Sequence, residues 1–387
     1  MGSLLKPVIA LTALESGGGY HLASPVADVP FSMTLKTGAT WAPSNYDNEF
    51  HGVVPMLVAI SESYNVASAR LGVDVGVDPF VRRPAGLGLD SPPPAYPSAL
   101  LGAVEMSPLE VARLYLPFAS GGLGFPPRAY VTATDGKRRV LSRNPSSTSR
   151  PVDADMHFLV HFALRTVVDR GTASRVLGDF GKALRLAGKT GTTDDFRDSW
   201  FAGYSGNYIA VVWVGRDDNE PTGLSGSSGA LPIWRDLMRE LPLRPSVFDR
   251  PANVQWHNVD LVSGYRVDSG CATAMEVPFI EDGSAAAPRP LRQHPRRRHH
   301  RPGPQCPDPP ARPPVLPGSV NRTRPAFPPT RLEPERPPLK PAAKQNETTV
   351  GACLQAIDAA GTTPEESPPS PGPTVPPPGL RHETKPL

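Results

Sequence analysis

The sequence lacks long apolar runs and has few cysteines. No stretch approaches the roughly 18 consecutive apolar residues that a membrane-spanning helix requires, and no secretory signal precedes the first motif. The three cysteines, Cys271, Cys306 and Cys353, are odd in number and show no CxxC spacing. Their pattern supports neither a metal site nor a disulfide framework. The sequence therefore carries no visible membrane address and no cysteine-based site.

Net charge is also low, and aromatic residues are almost absent from one region. The formal net charge of the 387-residue chain is only +3, too small to indicate nucleic acid as a partner. Residues 285–387 hold 27 of the 50 prolines and a single aromatic residue, Phe327. Because this composition cannot bury enough apolar surface to offset the entropy of ordering, we predict a disordered Pro/Arg-rich tail. Its Arg296–His300 run is interpreted as solvated. The abrupt change in composition would also arise from reading a GC-rich gene in the wrong frame.

The remaining residues first show helical spacing of apolar side chains and later strand patterns. Helices are predicted over four stretches: Ser3–Ser16, Met56–Leu71, Ser98–Ser120 and Asp155–Asp169. Strands are predicted over 186–191, 199–204 and 208–214, and the turn Gly206-Asn207 indicates an antiparallel hairpin. A closing helix follows at Leu231–Leu241. A sheet hairpin between early and late helices indicates an α+β fold with three α/β/α layers.

Three short motifs occur in a fixed order: Ser3-Leu4-Leu5-Lys6, Ser63-Tyr64-Asn65 and Lys189-Thr190-Gly191-Thr192. A serine three residues before a lysine on a helix shares its face. An uncharged Lys6 amine could therefore take the proton of Ser3, if burial and nearby cations depress the pKa of the lysine. Each motif alone also fits an ordinary solvated lysine, a helix cap or a strand end. Together, in this order, they match the S-x-x-K and K-T-G signatures of active-serine, penicillin-binding enzymes.

In the third motif, the residue types suit an extended ligand that ends in a carboxylate. Gly191 permits close approach of a ligand backbone, and hydroxyl and ammonium groups suit the carboxylate. A free strand edge also invites pairing with a peptide.

Longer blocks extend the resemblance beyond the motifs. The blocks are Gly2–Leu14, Ser63–Gly72, Leu100–Gly122, Thr166–Leu177 and Leu186–Gly229. They resemble class A penicillin-binding proteins, most of all the 1B type of Gram-negative bacteria, over about residues 1–282. The resemblance implies a penicillin-binding transpeptidase fold, similar to serine β-lactamases, with an antiparallel sheet.

The same resemblance implies a division of the chain. A transpeptidase domain truncated at its N-terminus occupies 1–245, a C-terminal extension 246–284 and the tail 285–387. Relatives of this type carry a membrane helix, a glycosyltransferase domain and the first sheet strands before the active serine. None of these precedes Ser3 here, so the chain is expected to be a fragment whose N-terminal strands are missing.

The resemblance also implies a site and a reaction. The residues carried over are catalytic Ser3, Lys6, Ser63, Asn65 and Lys189, and substrate-binding Thr190, Gly191 and Thr192. Ser3 is the implied nucleophile and Lys6 its general base. The backbone N–H groups of Ser3 and Thr192 form the implied oxyanion hole. The reaction is a ping-pong acyl transfer on the D-Ala-D-Ala ends of peptidoglycan stem peptides, which β-lactams mimic, without a metal or organic cofactor.

Other functions stay open at this point. A D,D-carboxypeptidase would use the same acyl-enzyme with water as acceptor, and a truncated chain could be an inactive fragment or a non-catalytic penicillin-binding module. A serine β-lactamase is disfavoured because no Glu-x-x-Leu-Asn element is found. The resemblance places the domain on the periplasmic side of the bacterial inner membrane, anchored only through the missing N-terminal part, with other cell wall synthesis proteins as partners.

Overall fold

The computed structural model describes residues 1–35, 37–281 and 350–355. The described residues form eight α-helices: α1 (Lys6–Glu15), α2 (Met56–Ser61), α3 (Asn65–Val75), α4 (Val77–Gly86), α5 (Pro108–Ala119), α6 (Ala154–Asp169), α7 (Leu177–Phe180) and α8 (Ala230–Arg239). They also form twelve strands: β1 (Pro25–Asp28), β2 (Met33–Thr34), β3 (Thr40–Trp41), β4 (Gly52–Pro55), β5 (Thr132–Thr134), β6 (Val140–Arg143), β7 (Ala187–Thr192), β8 (Ser199–Tyr204), β9 (Ile209–Val214), β10 (Val254–Asp260), β11 (Ala274–Ile280) and β12 (Val350–Gln355).

A four-stranded antiparallel sheet lies at the centre, in the order β12-β9-β8-β7. Helices cover both of its faces. On β8, Phe201 faces α8, with its ring centroid 5.0 Å from that of Trp234. Tyr204 lies three positions further along the strand and so on the opposite face, where its hydroxyl lies 3.0 Å from Nδ1 of His161 on α6. The predicted α+β fold with three α/β/α layers is confirmed, as is the predicted hairpin of β8 and β9.

Strand β12 extends the sheet beyond β9. It pairs antiparallel with β9, with Cys353 opposite Val211. These six residues fall inside the stretch predicted to be disordered, and the structure differs from that prediction there. The segment contains neither proline nor charge, and an edge strand offers free N–H and C=O groups to such a segment. The rest of the predicted tail, including the Arg296–His300 run, lies outside the described residues.

Helix α1 is the core helix of the molecule. Every residue from Lys6 to Leu14 is buried, and α1 contacts α3, α4 and α6. A helix that is apolar nearly all round belongs in a core. Pro7 lies in its first turn, where a missing N–H is tolerated. The predicted helix over Ser3–Ser16 is confirmed, with the difference that Gly2–Leu5 forms a 3₁₀ turn.

Two predicted helices are divided in the structure. The stretch Met56–Leu71 forms α2 and α3, separated by a turn in which Ser63 has a φ of +63°. Apolar spacing continues across the break because both helices bury residues in the same core, so periodicity alone did not detect it. The stretch Ser98–Ser120 likewise forms a 3₁₀ turn and then α5, which begins at a capping box of Ser107 and Glu110.

The residues after α8 pack against α6. Strands β10 and β11 pair antiparallel, and the ring of Trp256 lies edge-on to Phe158 and Phe162, with centroid distances of 6.0 and 5.4 Å. The proposed boundaries at residues 245 and 284 stay predictions. Cys271, just before β11, is disulfide-bonded, so the expectation from cysteine spacing is wrong for this residue. An odd number of cysteines still leaves room for one bridge.

The part of the chain that the structure describes holds neither a metal-binding cluster nor a membrane-spanning helix. Among residues 1–35, 37–281 and 350–355, no group of three or more His, Cys, Asp or Glu side chains could hold a metal ion. Over the same part of the chain, no helix has the length and apolar character needed to cross a bilayer.

Two buried histidines on α6 lie beneath the sheet. His157 Nε2 lies 3.0 Å from the carbonyl oxygen of Phe118, and the ring of Phe248 packs edge-on to His157 and His161. Burial lowers the pKa of His157 from 6.5 to about 4. Burial also lowers the pKa of His161 well below its ordinary value. Both side chains therefore remain neutral in the folded protein near neutral pH.

We expect the free energy of unfolding to decrease as the pH falls from 6.5 to about 4. In this range the unfolded chain protonates His157 and the folded chain does not, so the unfolded state binds more protons. The contribution of this residue is complete above pH 6.5 and falls by about 3 kcal/mol across the interval. Urea unfolding at a series of pH values measures it. The variant His157→Gln should flatten this dependence, and an unchanged slope would contradict the assignment.

Candidate active site

The side-chain nitrogen of Lys6 lies at the centre of the candidate site. Lys6 is only 1% exposed, and its Nζ donates to the carbonyl oxygen of Ser63, to Ser63 Oγ at 3.2 Å and to Asn65 Oδ1 at 2.7 Å. Burial, together with the nearby charge of Lys189, lowers the pKa of Lys6 well below its usual 10.5. Asp28 only partly opposes this effect. This lowered pKa favours the neutral amine, which is the form that can accept a proton.

A second buried lysine reaches the same hydroxyl from the sheet. Lys189, on β7, is fully buried, and its Nζ donates to Ser63 Oγ at 2.8 Å. Burial lowers its pKa to about 7, with partial opposition from the carboxylate of Glu62. The Ser63 hydroxyl is thus held between two buried amines whose pKa values are both lowered, an arrangement suited to passing a proton through the hydroxyl.

Ser63 adopts an unusual backbone conformation. Its φ of +63° lies in the left-handed region, which costs a non-glycine residue about 1–2 kcal/mol. Its N–H donates to the carbonyl of Ile60 at 3.2 Å, so the turn follows directly from the end of α2. Strained residues persist where their surroundings determine them strongly, often at functional sites. Here the strained turn places Ser63 Oγ within reach of both Lys6 and Lys189.

Ser3 lies on the 3₁₀ turn Gly2–Leu5, three residues before Lys6, and is partly exposed. Several bonds fix this turn. Gly2 N donates to the carbonyl of Gly102 at 3.0 Å, and the buried hydroxyl of Tyr115 donates to the carbonyl of Leu4 at 2.7 Å. Ser3 is consequently presented from a braced turn at the start of the core helix, one turn ahead of Lys6.

The other residues of the third motif lie along β7, an edge strand of the sheet. Thr190 Oγ1 lies 2.8 Å from Thr172 Oγ1, and Thr192 Oγ1 accepts from the N–H of Gly226 at 2.9 Å. A Cβ atom at Gly191 would lie 2.6 Å from the carbonyl oxygen of Met1 and 2.9 Å from Cγ of Leu4. Glycine at this position therefore lets the turn that carries Ser3 pack directly on the strand, a reason distinct from the predicted ligand contact.

The structure brings the three predicted motifs together. Lys6, Ser63, Asn65 and Lys189 form one hydrogen-bonded group, and the turn of Ser3 packs on the strand of Lys189. Other residues of the site were missed. Thr172 lies within the block Thr166–Leu177, and the family resemblance of that block could have indicated this residue. Three further residues contact the second motif and the start of α3 but lie in segments that carry no motif: Asp28, Asn45 and His51.

A serine and a buried lysine of lowered pKa lie one turn apart, beside an edge strand and a second serine that is held by two lysines. This combination defines the active-serine class that reacts with penicillin. The chain belongs to the penicillin binding protein transpeptidase domain family, which matches residues 1–239. The recognised family and its fold are thereby confirmed.

Similar proteins include penicillin-binding protein 1B of Vibrio cholerae serotype O1, 37% identical over 241 residues, or 62% of this chain and 31% of the relative. The chain spans about a third of the length of the curated relatives it matches. A crystal structure of penicillin-binding protein 1A from Haemophilus influenzae is similar with a TM-score of 0.67 and 24% identity, over 76% of this chain and 49% of the other. An imipenem acyl-enzyme complex of penicillin-binding protein A from M. tuberculosis matches with a TM-score of 0.52 and 21% identity, over 62% and 58%.

The substitution Gly191→Ala should destabilise the domain by about 1–3 kcal/mol, as overpacking does, because the new methyl group meets the Met1 carbonyl. It should also slow any reaction at Ser3, whose turn must shift. Urea unfolding measures the first effect. Gly136→Ala is the matched control, since nothing lies within 4 Å of a Cβ atom at that position. Equal stability of the two variants would contradict this account of Gly191.

Proposed function

We propose that this chain is a serine D,D-transpeptidase that cross-links peptidoglycan stem peptides through an acyl-enzyme on Ser3. The observation that carries the proposal is the position of the Ser63 hydroxyl, 3.2 Å from the buried amine of Lys6 and 2.8 Å from that of Lys189. Lys6 itself lies one turn after Ser3. Membership of the transpeptidase domain family supports the same reaction and does not favour the carboxypeptidase or non-catalytic alternatives.

In the proposed acylation, neutral Lys6 takes the proton of Ser3 as Ser3 Oγ attacks the carbonyl carbon between the last two D-alanines. Electrons move onto the carbonyl oxygen, which the backbone N–H groups of Ser3 and Thr192 stabilise. The peptide bond then breaks, and the leaving D-alanine takes up a proton delivered from Lys6 through Ser63 Oγ. A β-lactam follows the same path, but its leaving group stays attached to the acyl chain.

In the second half, an amine of a neighbouring stem peptide attacks the acyl carbon and loses its proton to Lys6. The bond from that carbon to Ser3 Oγ then breaks, and Lys6 returns the proton to the leaving oxygen of Ser3. The amide of Asn65 holds the stem-peptide backbone. Thr190 and Thr192, with Gly191 between them, receive the terminal carboxylate, which the cationic form of Lys189 attracts. The hydroxyl of Thr192 already accepts from an N–H, so its own proton remains available for a carboxylate oxygen.

The proposal also covers location and partners. We propose that the domain works on the periplasmic side of the inner membrane together with other cell wall synthesis proteins. The similarity to penicillin-binding proteins of the 1B and 1A types supports this proposal. Penicillin-binding protein A of M. tuberculosis, whose fold is similar, forms an acyl-enzyme with imipenem. We propose that this chain forms one with β-lactams in the same way.

Labelling the full-length chain with a fluorescent penicillin tests the nucleophile. We expect a single covalent adduct, mapped to Ser3 by peptide mass, and its complete loss in Ser3→Ala. The matched control is Ser16→Ala, an exposed serine at the C-cap of α1, the helix that follows the turn of Ser3. This variant should label like the parent chain. Labelling that survives Ser3→Ala, or that never occurs on the folded chain, would refute the proposal.

The pH dependence of acylation should reflect Lys189. Its pKa of about 7 means that raising the pH through 7 removes the charge proposed to attract the carboxylate. The pKa of Lys6 is also lowered well below its usual 10.5, which favours the neutral form that accepts the proton of Ser3. We therefore expect the acylation rate to fall above about pH 7, and to fall far less in Lys189→Arg, since arginine stays charged. A stopped-flow series from about pH 5 to 9 measures this, and identical profiles for both chains would contradict it.

A further inference from the structure

Helix α3, whose first residue is Asn65, has no side-chain cap of its own. Its N-cap residue is Tyr64, whose side chain makes no cap bond. The first N–H groups of a helix need acceptors from elsewhere. Asn45 Oδ1 accepts from Asn65 N at 2.7 Å and from Val66 N at 3.0 Å. Asp28 Oδ1 accepts from Ala67 N at 3.0 Å. The helix that carries the second motif is therefore capped by residues 20 and 39 positions away in sequence.

The carboxylate of Asp28 determines how Asn45 is oriented. Asp28 is fully buried, and its Oδ2 accepts from Asn45 Nδ2 at 2.8 Å and from the backbone N–H of His51 at 2.9 Å. A carboxylate can only accept, so the amide of Asn45 must turn its nitrogen towards Asp28. Its oxygen is then directed to the start of α3. The charge on Asp28 also strengthens these bonds relative to neutral ones.

A second arm of the network holds the residue between Ser63 and Asn65. His51 Nδ1 lies 2.7 Å from Asp28 Oδ2, and the imidazole stacks on the ring of Tyr64, with centroids 3.9 Å apart and planes within 9°. Asp28 thus acts on the motif from two sides, through Asn45 on the backbone of α3 and through His51 on the ring of Tyr64.

The chain of hydrogen bonds ends at the side-chain nitrogen of Lys6. Asn65 Nδ2 donates to the carbonyl of Ser44 at 3.0 Å, beside Asn45, and so turns Asn65 Oδ1 towards Lys6 Nζ, which donates to it at 2.7 Å. The neighbouring Ser63 holds a strained φ of +63°, which persists only if its surroundings fix it. Just after Ser63, the bonds from Asn45 and Asp28 to the start of α3 and the stacking of His51 on Tyr64 hold the chain in place.

We propose that Asp28, Asn45 and His51, here called the anchor network, are positioning residues for the Ser63-Tyr64-Asn65 motif. They contact none of the reacting atoms. They hold Asn65 against Lys6 and keep Ser63 Oγ between the two lysines. This inference rests on the proposed function of Lys6 and Ser63 and adds the residues on which their geometry depends.

The test compares Asn45→Ala with Asn253→Ala in the full-length chain. Asn253 is a matched control, since its Nδ2 also donates to an aspartate, Asp155, at 2.9 Å, away from the site. Penicillin acylation under saturating conditions separates binding from the acylation rate constant. Asn45→Ala should lower the rate constant by roughly 10- to 100-fold, the effect of about 1 Å of misplacement, and change binding little. Equal rate constants for the two variants would overturn the proposal.

A double-mutant cycle distinguishes positioning from general destabilisation. If Asn45 acts through Asn65, adding Asn45→Ala to an Asn65→Ala chain should cause little further loss in the acylation rate constant. If the fold-reductions of the two single variants multiply in the double variant, Asn45 acts independently of Asn65, contrary to the proposal. If Asn45→Ala fails to fold, the acylation rate constants of His51→Phe and His51→Ala are compared instead. Phenylalanine keeps the stacking on Tyr64, so His51→Phe should lower the rate constant less than His51→Ala does. Equal reductions in the rate constant count against the anchor network.

Amide hydrogen exchange provides a readout that does not need activity. In Asn45→Ala, the amides of Asn65 and Val66 lose their acceptor and should exchange faster, while amides in α6 keep their protection. Unchanged protection at these two amides would overturn the inference even in a chain that penicillin labels normally. Faster exchange in a chain that penicillin never labels would instead support the anchor network and refute the proposed function.

Discussion

The burial of two lysine amines around a single serine hydroxyl is the constraint on which the rest of the structure depends. Removing an ammonium group from water costs several kcal/mol unless it is paired or neutralised. Burial shifts Lys6 towards its neutral form, because the acceptors around its Nζ are the uncharged oxygens of Ser63 and Asn65. Lys189 keeps partial charge with help from Glu62. The fold must therefore provide a dry, rigid pocket with oxygens at fixed positions, and the core helix and the edge strand supply its two walls.

Each wall is held by contacts that leave little room for adjustment. Helix α1 is buried along its length, and the turn before it lies directly on β7, where only glycine at position 191 fits. Behind β7, the sheet is covered by α8 on one face and by α6 on the other. A shift of Lys189 relative to Lys6 would require the sheet to move against the core helix. Dense packing resists such movements, so the distances of both amines from Ser63 Oγ are set by the core as a whole.

The elements that the sequence predicted well are those governed by local pattern. The helix over Asp155–Asp169 and the hairpin of β8 and β9 follow from periodicity and a glycine turn. The break between α2 and α3 was not predicted, because the apolar pattern runs across it. Asp28 and Asn45 could not be found either, since their partners lie 20 to 39 residues away and no motif marks them. Strand β12 was not predicted, because the composition was averaged over the proline-rich residues 285–387, although the six residues of the strand contain no proline.

The position of the second motif at the start of α3 explains why distant residues were needed there. Serine and asparagine are among the best helix N-caps, and Ser63 and Asn65 flank the N-cap residue Tyr64. Neither caps the helix, because both side chains are directed to the lysines. The first N–H groups of α3 would then lack acceptors, and Asn45 and Asp28 provide them. A local rule of helix stability is thus broken at the candidate site, and residues of another segment compensate for it, as is common at functional sites.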